Sequence, residues 1–424
     1  MRVGVPMVVV CMLVGSAQAA ELTRVASSFE DNDPFGMFLD FTFDRTSERS
    51  KITREWYQNG GTQDVYELFH TLVDTRMGID AHVGIYKDLE FHAGLPIVFQ
   101  HDRSWRFGAG SGPDVTTLYR NCGDARGNVC ATPGLGTDHL FDVSPDGTTS
   151  YRGGLGDLTL GLAWAPFVQA KDDTKPTWTL RFDYTAPTAA LLDPSVPTVD
   201  SNGNIVRGGI GDRVHRYKFA TSVSKRLGAI EPYFELHYTL PWRGPGYYSN
   251  CNTGLNMGRA ENCGVQAWTK EETGIHPPHV GGFIFGTEIT IFERPERHQR
   301  VAFDLRGFGE YTSEGRYSNE LSDLMGKLLY TSDYGTIGGH IGFVGQAAEF
   351  VLLRAYAIFS YNTEHFLTNE NIGKDFSGNG TVDITDHPDE INPNYDFRVD
   401  RVGRRFRVTE SWQFRIIVTA NFNF

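Results

Sequence analysis

Apolar and polar side chains alternate along most of this chain with a period of two. Met37, Leu39, Phe41 and Phe43 are interleaved with Phe38, Asp40, Thr42 and Asp44. Successive residues of a strand point to opposite faces, so this spacing predicts a strand with one apolar and one mostly polar side. A longer run sets Val73, Met77, Ile79, Val83 and Ile85 against Asp74, Arg76, Asp80 and His82. After Lys87-Asp88 the pattern resumes, with Leu89, Phe91, Ala93, Leu95, Ile97 and Phe99 opposed to Glu90, His92 and Gln100. Two amphipathic strands joined by a two-residue turn form a hairpin. Residues 412–424 repeat the alternation: Trp412, Phe414, Ile416, Val418, Ala420, Phe422 and Phe424 against Gln413, Arg415, Ile417, Thr419, Asn421 and Asn423.

Further strand pairs are expected at 154–169 with 177–189, 212–227 with 232–244, 280–294 with 299–312, and 333–347 with 351–368. Short connections, at 171–176, 228–231, Arg294-Pro295-Glu296 and Ala347-Ala348, mark tight turns. Long polar or glycine-rich connections lie between them: one through Asn59-Gly60-Gly61, then 108–152, 190–211, 245–279, 313–332 and 369–400. Compact domains rarely hold so many loops longer than about 15 residues. Alternating short and long connections predict an all-β fold, a transmembrane antiparallel β-barrel of about 12 strands. Periplasmic turns would be short and extracellular loops long. An error of one hairpin would make it ten or fourteen. Amphipathic helices are missing, which excludes an α/β domain. Leu321, Leu324, Met325 and Leu328 have helical spacing, so a short helix is expected to fold into the lumen or cap it.

Residues 1–19 read as a signal peptide: Arg2, an apolar run at 3–14, and Ala17-Gln18-Ala19 as the cleavage site. Residues 20–34 are then a polar periplasmic lead-in and 35–424 the outer-membrane barrel. No run of 18 apolar residues follows, so no transmembrane helix is expected. Aromatic residues make up 13% of the chain and glycines number 47, which suits aromatic girdles and closely packed strands. A net charge of −13 excludes nucleic acid as a partner. Cys122 with Cys130, and Cys251 with Cys263, form two close pairs in loops rich in Gly and Asn. Export predicts two disulfides, since neither pair has zinc-ligand spacing.

The inward face can then be written down. Its acids are Asp74, Asp80, Glu90, Asp157, Asp183, Glu235, Glu288 and Asp304; its bases are Arg76, Arg181, Arg216, Lys218, Arg306, Arg354 and Arg415; His82, His92 and His237 complete it. Such charges must pair or touch water. A wet, modestly ion-selective channel and a cross-linked, closed lumen both fit. A barrel hydrolase would need a serine beside a histidine and an orienting group. The chain has no G-x-S-x-G and no H-E-x-x-H, and His92, His237 and His340 are expected to face inward singly. An enzyme is not expected.

One loop carries metal-ligand spacing. Asp375, Ser377, Asn379, Asp383 and Asp386 occupy positions 1, 3, 5, 9 and 12, with Gly380 at 6 and the Thr381 carbonyl available at 7. Calcium takes six to eight oxygens, and glycine at the sixth position permits the sharp wrap. The loop resembles dockerin-type or EF-hand-like loops, and calcium is its expected ion. It departs from them in Ser377, in aspartate rather than glutamate at position 12, in being single, and in lacking flanking helices. An ordinary Asp/Asn/Gly-rich surface loop is the alternative. No other cofactor is expected.

Gly153-Gly154-Leu155-Gly156-Asp157-Leu158-Thr159-Leu160-Gly161 resembles the glycine-rich signature of the meta-pathway phenol-degradation outer-membrane proteins. Residues 208–212, 222–227 and 232–241 resemble that family's middle hairpin. These are barrel proteins related in style to the long-chain fatty acid transporters. The resemblance covers about 90 residues and implies passive uptake of small, often hydrophobic molecules; it implies no ligand-binding residues. Locally, the glycines suit a bulge, with Asp157 paired to a lumen base. The 412–424 strand resembles the closing strand of outer-membrane barrels, which implies that Trp412, Phe422 and Phe424 form an assembly signal read by the barrel-assembly machinery. The expected function is a channel or transporter for a small solute, with lipid around it. The alternatives are an adhesive barrel with disulfide-pinned loops, or an outer-membrane lipid hydrolase.

Overall fold

A computed structural model of the chain describes residues 20–26, 36–58, 60–112, 115–118, 140–141, 144–252, 262–263, 268–348, 350–383 and 385–424. Residues 1–19, expected to be a signal peptide, and the Cys122 and Cys130 positions, expected to form a disulfide, lie outside the described residues. The strands are β1 (Met37–Gln58), β2 (Gly61–Tyr86), β3 (Leu89–Phe107), β4 (Thr149–Leu155), β5 (Leu158–Phe167), β6 (Thr177–Ala186), β7 (Val214–Ser224) and β8 (Ile230–Arg243). They continue with β9 (Val280–Arg294), β10 (Gln299–Thr312), β11 (Gly315–Tyr317), β12 (Leu329–Thr331), β13 (Tyr334–Ala348), β14 (Val351–Asn362), β15 (His365–Phe366) and β16 (Phe406–Asn423). Two one-turn helices, α1 (Lys270–Thr273) and α2 (Ser322–Met325), sit in loops.

Pairing runs β1-β2-β3-β5-β6-β7-β8-β9-β10-β13-β14-β16, and β16 pairs back onto β1. Twelve antiparallel strands therefore close a barrel, as the alternation predicts. Closure removes the free sheet edges that a bilayer would leave unsatisfied. Phe41, Phe43, Ile416 and Val418 are exposed outward, while Asp44, Glu48 and Thr419 from the same strands are buried inward. On β16, ten residues separate outward Phe422 from outward Trp412. At roughly 3.4 Å per residue and a tilt near 40° that is about 25 Å, the height of an outer-membrane apolar band.

Four sequence expectations change. The polar stretch after Phe43 is not a loop: β1 and β2 run for 22 and 26 residues, with Gly60 at φ +82° just before β2. A strand needs only about 9–11 residues to cross, so this hairpin projects beyond the lipid, where polar outward residues are wetted and the apolar alternation stops. The strand expected at 154–169 is broken into β4 and β5 at Gly156-Asp157. The expected helix at 321–328 is only α2, because β11 and β12 pair on either side of it. Finally, of the lead-in placed in the periplasm, residues 20–26 lie inside the barrel mouth, as the hydrogen bonds below show.

Candidate functional site: the lumen and its two closures

The periplasmic closure is residues 20–26. The Ala20 amide donates to Glu231 Oε1 (2.7 Å), Thr23 and Ser224 share a hydroxyl bond (2.8 Å), and the Ala26 amide donates to Glu90 Oε2 (2.6 Å). Arg24 donates to Asn421 Oδ1 (2.9 Å) and to Asn423. Glu21 is held by Arg306 and by the Tyr356 hydroxyl (2.8 Å). Ser224, Glu231, Glu90, Asn421 and Asn423 all stand at the turn-side ends of their strands, so the segment lies across the periplasmic mouth. It is seated almost wholly by polar contacts.

The outer closure is built differently. The 313–333 connection folds inward between the extended tops of β1, β2, β3 and β16. There Leu321, Leu324, Met325 and Leu329 join Ile52, Leu68, Trp105, Leu118, Phe406 and Val408 in one buried apolar cluster. Trp105 donates its indole N–H to the Glu320 carbonyl (2.8 Å), and Arg103 reaches Ser318 Oγ (3.0 Å) and the Asn319 carbonyl (2.7 Å). Arg152 pairs with Asp323 at 2.6 Å with both side chains buried. Above this layer the 245–279 and 369–400 loops interlock: Trp268 donates to the Asp389 carbonyl (2.8 Å) and Asn262 to the carbonyls of Pro388 and Ile391. Cys251 and Cys263 are disulfide-bonded. Deep in these loops, burial pushes the Asp400 carboxyl up to about 7, with Glu370 nearby adding to the rise and Lys327 opposing it. The neighbouring Asp396 is also buried, yet Lys327 and Arg398 hold it down to about 2.

Between the closures the inward faces carry the charges read from the pattern. Cross-strand registers put Asp74, Arg76, Asp80, His82, Glu90 and His92 on the β2–β3 side, and Arg181, Asp183, Arg216, Lys218, Glu235 and His237 across β6, β7 and β8. Glu288, Asp304, Arg306, Arg354 and Arg415 complete the ring on β9, β10, β14 and β16. Several are cross-linked: Arg76–Asp74 is 2.7 Å, Arg415–Asp44 is 2.6 Å, and Arg306–Asp304 is 2.5 Å. His92 is not single, as the pattern suggested, but lies beside His82 and bonds Asp183 Oδ1 at 2.8 Å. None of His70, His82, His92, His101, His237 or His340 bonds a serine hydroxyl among the described residues.

The wall itself is interrupted on one side. β5 pairs with β3 over residues 89–94, whereas β4 pairs with β3 higher up, over 97–104. Among the described residues, β4 has no strand on its other side. The 187–213 connection fills in there, with the Gly153 amide on the Gly208 carbonyl (3.1 Å) and the Gly208 amide on the Tyr151 carbonyl (2.9 Å). The glycine-rich signature makes this break. Gly154 has φ +133°, a conformation that side chains other than glycine rarely adopt. A Cβ on Gly156 would meet Pro96 Cγ at 2.6 Å. Asp157 sits at the break and accepts the Ala189 amide (2.8 Å) rather than pairing with a base, and Arg216 pairs with Asp212.

The 375–386 loop lies on the outer surface. Asp375 accepts the amides of Gly378 (2.6 Å), Asn379 (3.2 Å) and Gly380 (2.7 Å), and Asp383 those of Thr385 and Asp386. Glu390, outside the twelve-residue spacing, takes the amides of Phe376, Ser377 and Asp383. Asn379 Oδ1 accepts the Thr381 amide.

No family model and no curated protein matches this chain. Among solved structures, an outer-membrane channel from Pseudomonas putida F1 is similar at 11% identity and TM-score 0.41, covering 91% of this chain and 95% of that one. A FadL homologue from Pseudomonas aeruginosa is similar at 9% identity and TM-score 0.36, covering 91% and 90%. A variant of the TodX monoaromatic hydrocarbon channel is similar at 12% identity and TM-score 0.33, covering 95% and 94%.

Proposed function

We propose that this chain is a passive outer-membrane uptake channel for small, partly hydrophobic solutes. The wall break beside β4 carries this reading. A barrel closed only to hold a membrane together gains nothing from an unpaired stretch of wall, since every backbone group facing lipid needs a partner. Here the gap is spanned by a connection rather than a strand, and exposed Leu155, Ile205 and Val206 lie around it. An apolar solute passing there would leave the polar lumen toward lipid without crossing the charge network. Proteoliposomes test the proposal: an apolar dye should enter faster than with empty vesicles, and a sugar of similar size should not. Equal rates for dye in protein-containing and empty vesicles would sink it.

The adhesive reading draws on the interlocked, disulfide-bonded outer loops; it would gain if the protein bound surfaces yet passed neither dye nor ions. We propose further that the 375–386 loop takes calcium, supported by its oxygen spacing and by Gly380 at φ +87°. Calorimetric titration checks this, and no heat at millimolar calcium would reject it.

A further inference from the structure

The β2–β3 hairpin brings three metal-ligating side chains to one point beneath the N-terminal segment. His82 and His92 stand directly opposite each other on the inward face, their rings stacked with centroids 5.2 Å apart. Glu90 precedes His92 by two residues on the same face and is fully buried. His82 Nδ1 lies 2.7 Å from Glu90 Oε1. His92 Nδ1 lies 3.3 Å from the same oxygen but finds no hydrogen-bond partner, although the residue is only 7% exposed. The ligand atoms of the three residues lie within 4.8 Å of one another. We propose that His82, Glu90 and His92 bind a divalent transition ion of the zinc class, and that this ion clasps the N-terminal segment in the barrel mouth.

The surroundings are those of a metal site. A ligating imidazole usually gives its second nitrogen to a carboxylate, which fixes the ring and raises its basicity. His92 has that partner, its Nε2 2.8 Å from Asp183 Oδ1, whereas His82 Nε2 faces Asp40 Oδ2 at 3.8 Å, too far for a hydrogen bond. Both Nδ1 atoms point at one spot. Around it lie the carboxylates of Glu21, Asp40, Asp80, Glu90 and Asp183 and the guanidiniums of Arg24, Arg181 and Arg354, five negative charges against three positive. A dication would balance that excess. Gly161 makes room for the His92–Asp183 bond, since a Cβ there would meet His92 Nε2 at 2.2 Å and Asp183 Oδ1 at 2.5 Å. Phe38 stacks on His82 at 4.3 Å and covers it. Two imidazoles and one carboxylate favour zinc, nickel or copper over calcium or magnesium, and three protein ligands leave one position open. The other carboxylate oxygen of Glu90 holds the Ala26 amide, so fixing Glu90 fixes the segment.

The test does not depend on transport. Protein stripped with chelator and titrated with zinc should bind one equivalent at this site. His82→Ala and His92→Ala should each weaken that binding at least tenfold, while His237→Ala, elsewhere in the lumen, should not. Cobalt in place of zinc should give a visible absorption band that His82→Ala and His92→Ala each abolish and His237→Ala keeps. Zinc should also slow tryptic cleavage after Arg24 in the wild type and not in His92→Ala. The same zinc stoichiometry and affinity in all variants would overturn the site. Binding without protection of Arg24 would overturn the clasp.

Discussion

The two ends of the lumen are closed by opposite means. At the outer end, an apolar cluster around Trp105, Leu321 and Phe406 fills the space between the extended tops of β1, β2, β3 and β16. At the periplasmic end, residues 20–26 rest on Glu231, Ser224, Glu90, Asn421 and Asn423 through hydrogen bonds and Arg24. Burial of large apolar side chains is worth about 1.5–3 kcal/mol each. A hydrogen bond exchanged for one to water nets only about 0.5–1.5 kcal/mol. The outer closure is therefore part of the folded core, whereas the inner one is held by polar contacts, the Glu21–Arg306 ion pair among them.

The strongest way to break this comparison is to remove the inner closure. A chain lacking residues 20–26 should still form the barrel, because β1 and β16 pair without it, and its conductance in planar bilayers should rise several-fold over the full chain. An unchanged conductance would mean that the outer closure alone sets the resistance. Trp105→Ala attacks the other end. Truncating a buried aromatic costs about 3–5 kcal/mol, and the loss of the indole bond to Glu320 adds to it. The 313–333 connection should then become accessible to protease while the membrane-embedded strands remain intact. A cap that stayed resistant would show that the Arg152–Asp323 pair and the interlocked loops hold it without the cluster.

The sequence carried the wall and, in Leu321, Leu324 and Met325, part of the outer closure, but not the inner one. Side-chain alternation revealed the twelve strands and the charged interior because a barrel's inside and outside repeat every second residue. It fell short at the β1–β2 hairpin, since strands above the lipid have no apolar face to mark them. The seat of residues 20–26 left no pattern, because it is made of long-range hydrogen bonds to single residues. The His82–His92 pairing was within reach. A bulge-free turn at Lys87-Asp88 would set His82 opposite Ala93, yet the alternation puts those two on different faces. One extra residue was required, and the register shift between Gly84 and Tyr86 supplies it, bringing His82 opposite His92.

pH separates the two ends more gently. Asp400 titrates at about 7 in the folded loops, against about 3.9 in an unfolded chain. The folded form thus holds the proton more tightly, and its stability falls as pH rises from about 4 to about 7, then levels off. Asp396 acts in the opposite sense: at about 2 when folded, it contributes stability above about 4 that is lost as pH falls toward 2. The outer loops should be firmest near pH 4–5 and loosen toward pH 8. Amide exchange over residues 394–405, corrected for the intrinsic rate, should show this, and Asp400→Asn should flatten the rise above pH 5. Protection that grows toward pH 8 would contradict the assignment.

The smallest effect is the most direct measure of how lightly the inner closure is held. Ser224 Oγ bonds both Thr23 Oγ1 (2.8 Å) and Glu231 Oε1 (2.9 Å), and Glu231 Oε1 keeps the Ala20 amide when the hydroxyl is gone. Ser224→Ala therefore removes the one bond to Thr23 and one of the two donors to Glu231 Oε1, so the seat should weaken by about 1 kcal/mol. That is roughly a fivefold rise in the displaced population. Since the strands are untouched, thermal stability of the barrel should not move, and only tryptic cleavage after Arg24 should quicken by that factor. If barrel stability fell together with cleavage resistance, residues 20–26 would be a structural part of the wall, and the distinction between the two ends would fail.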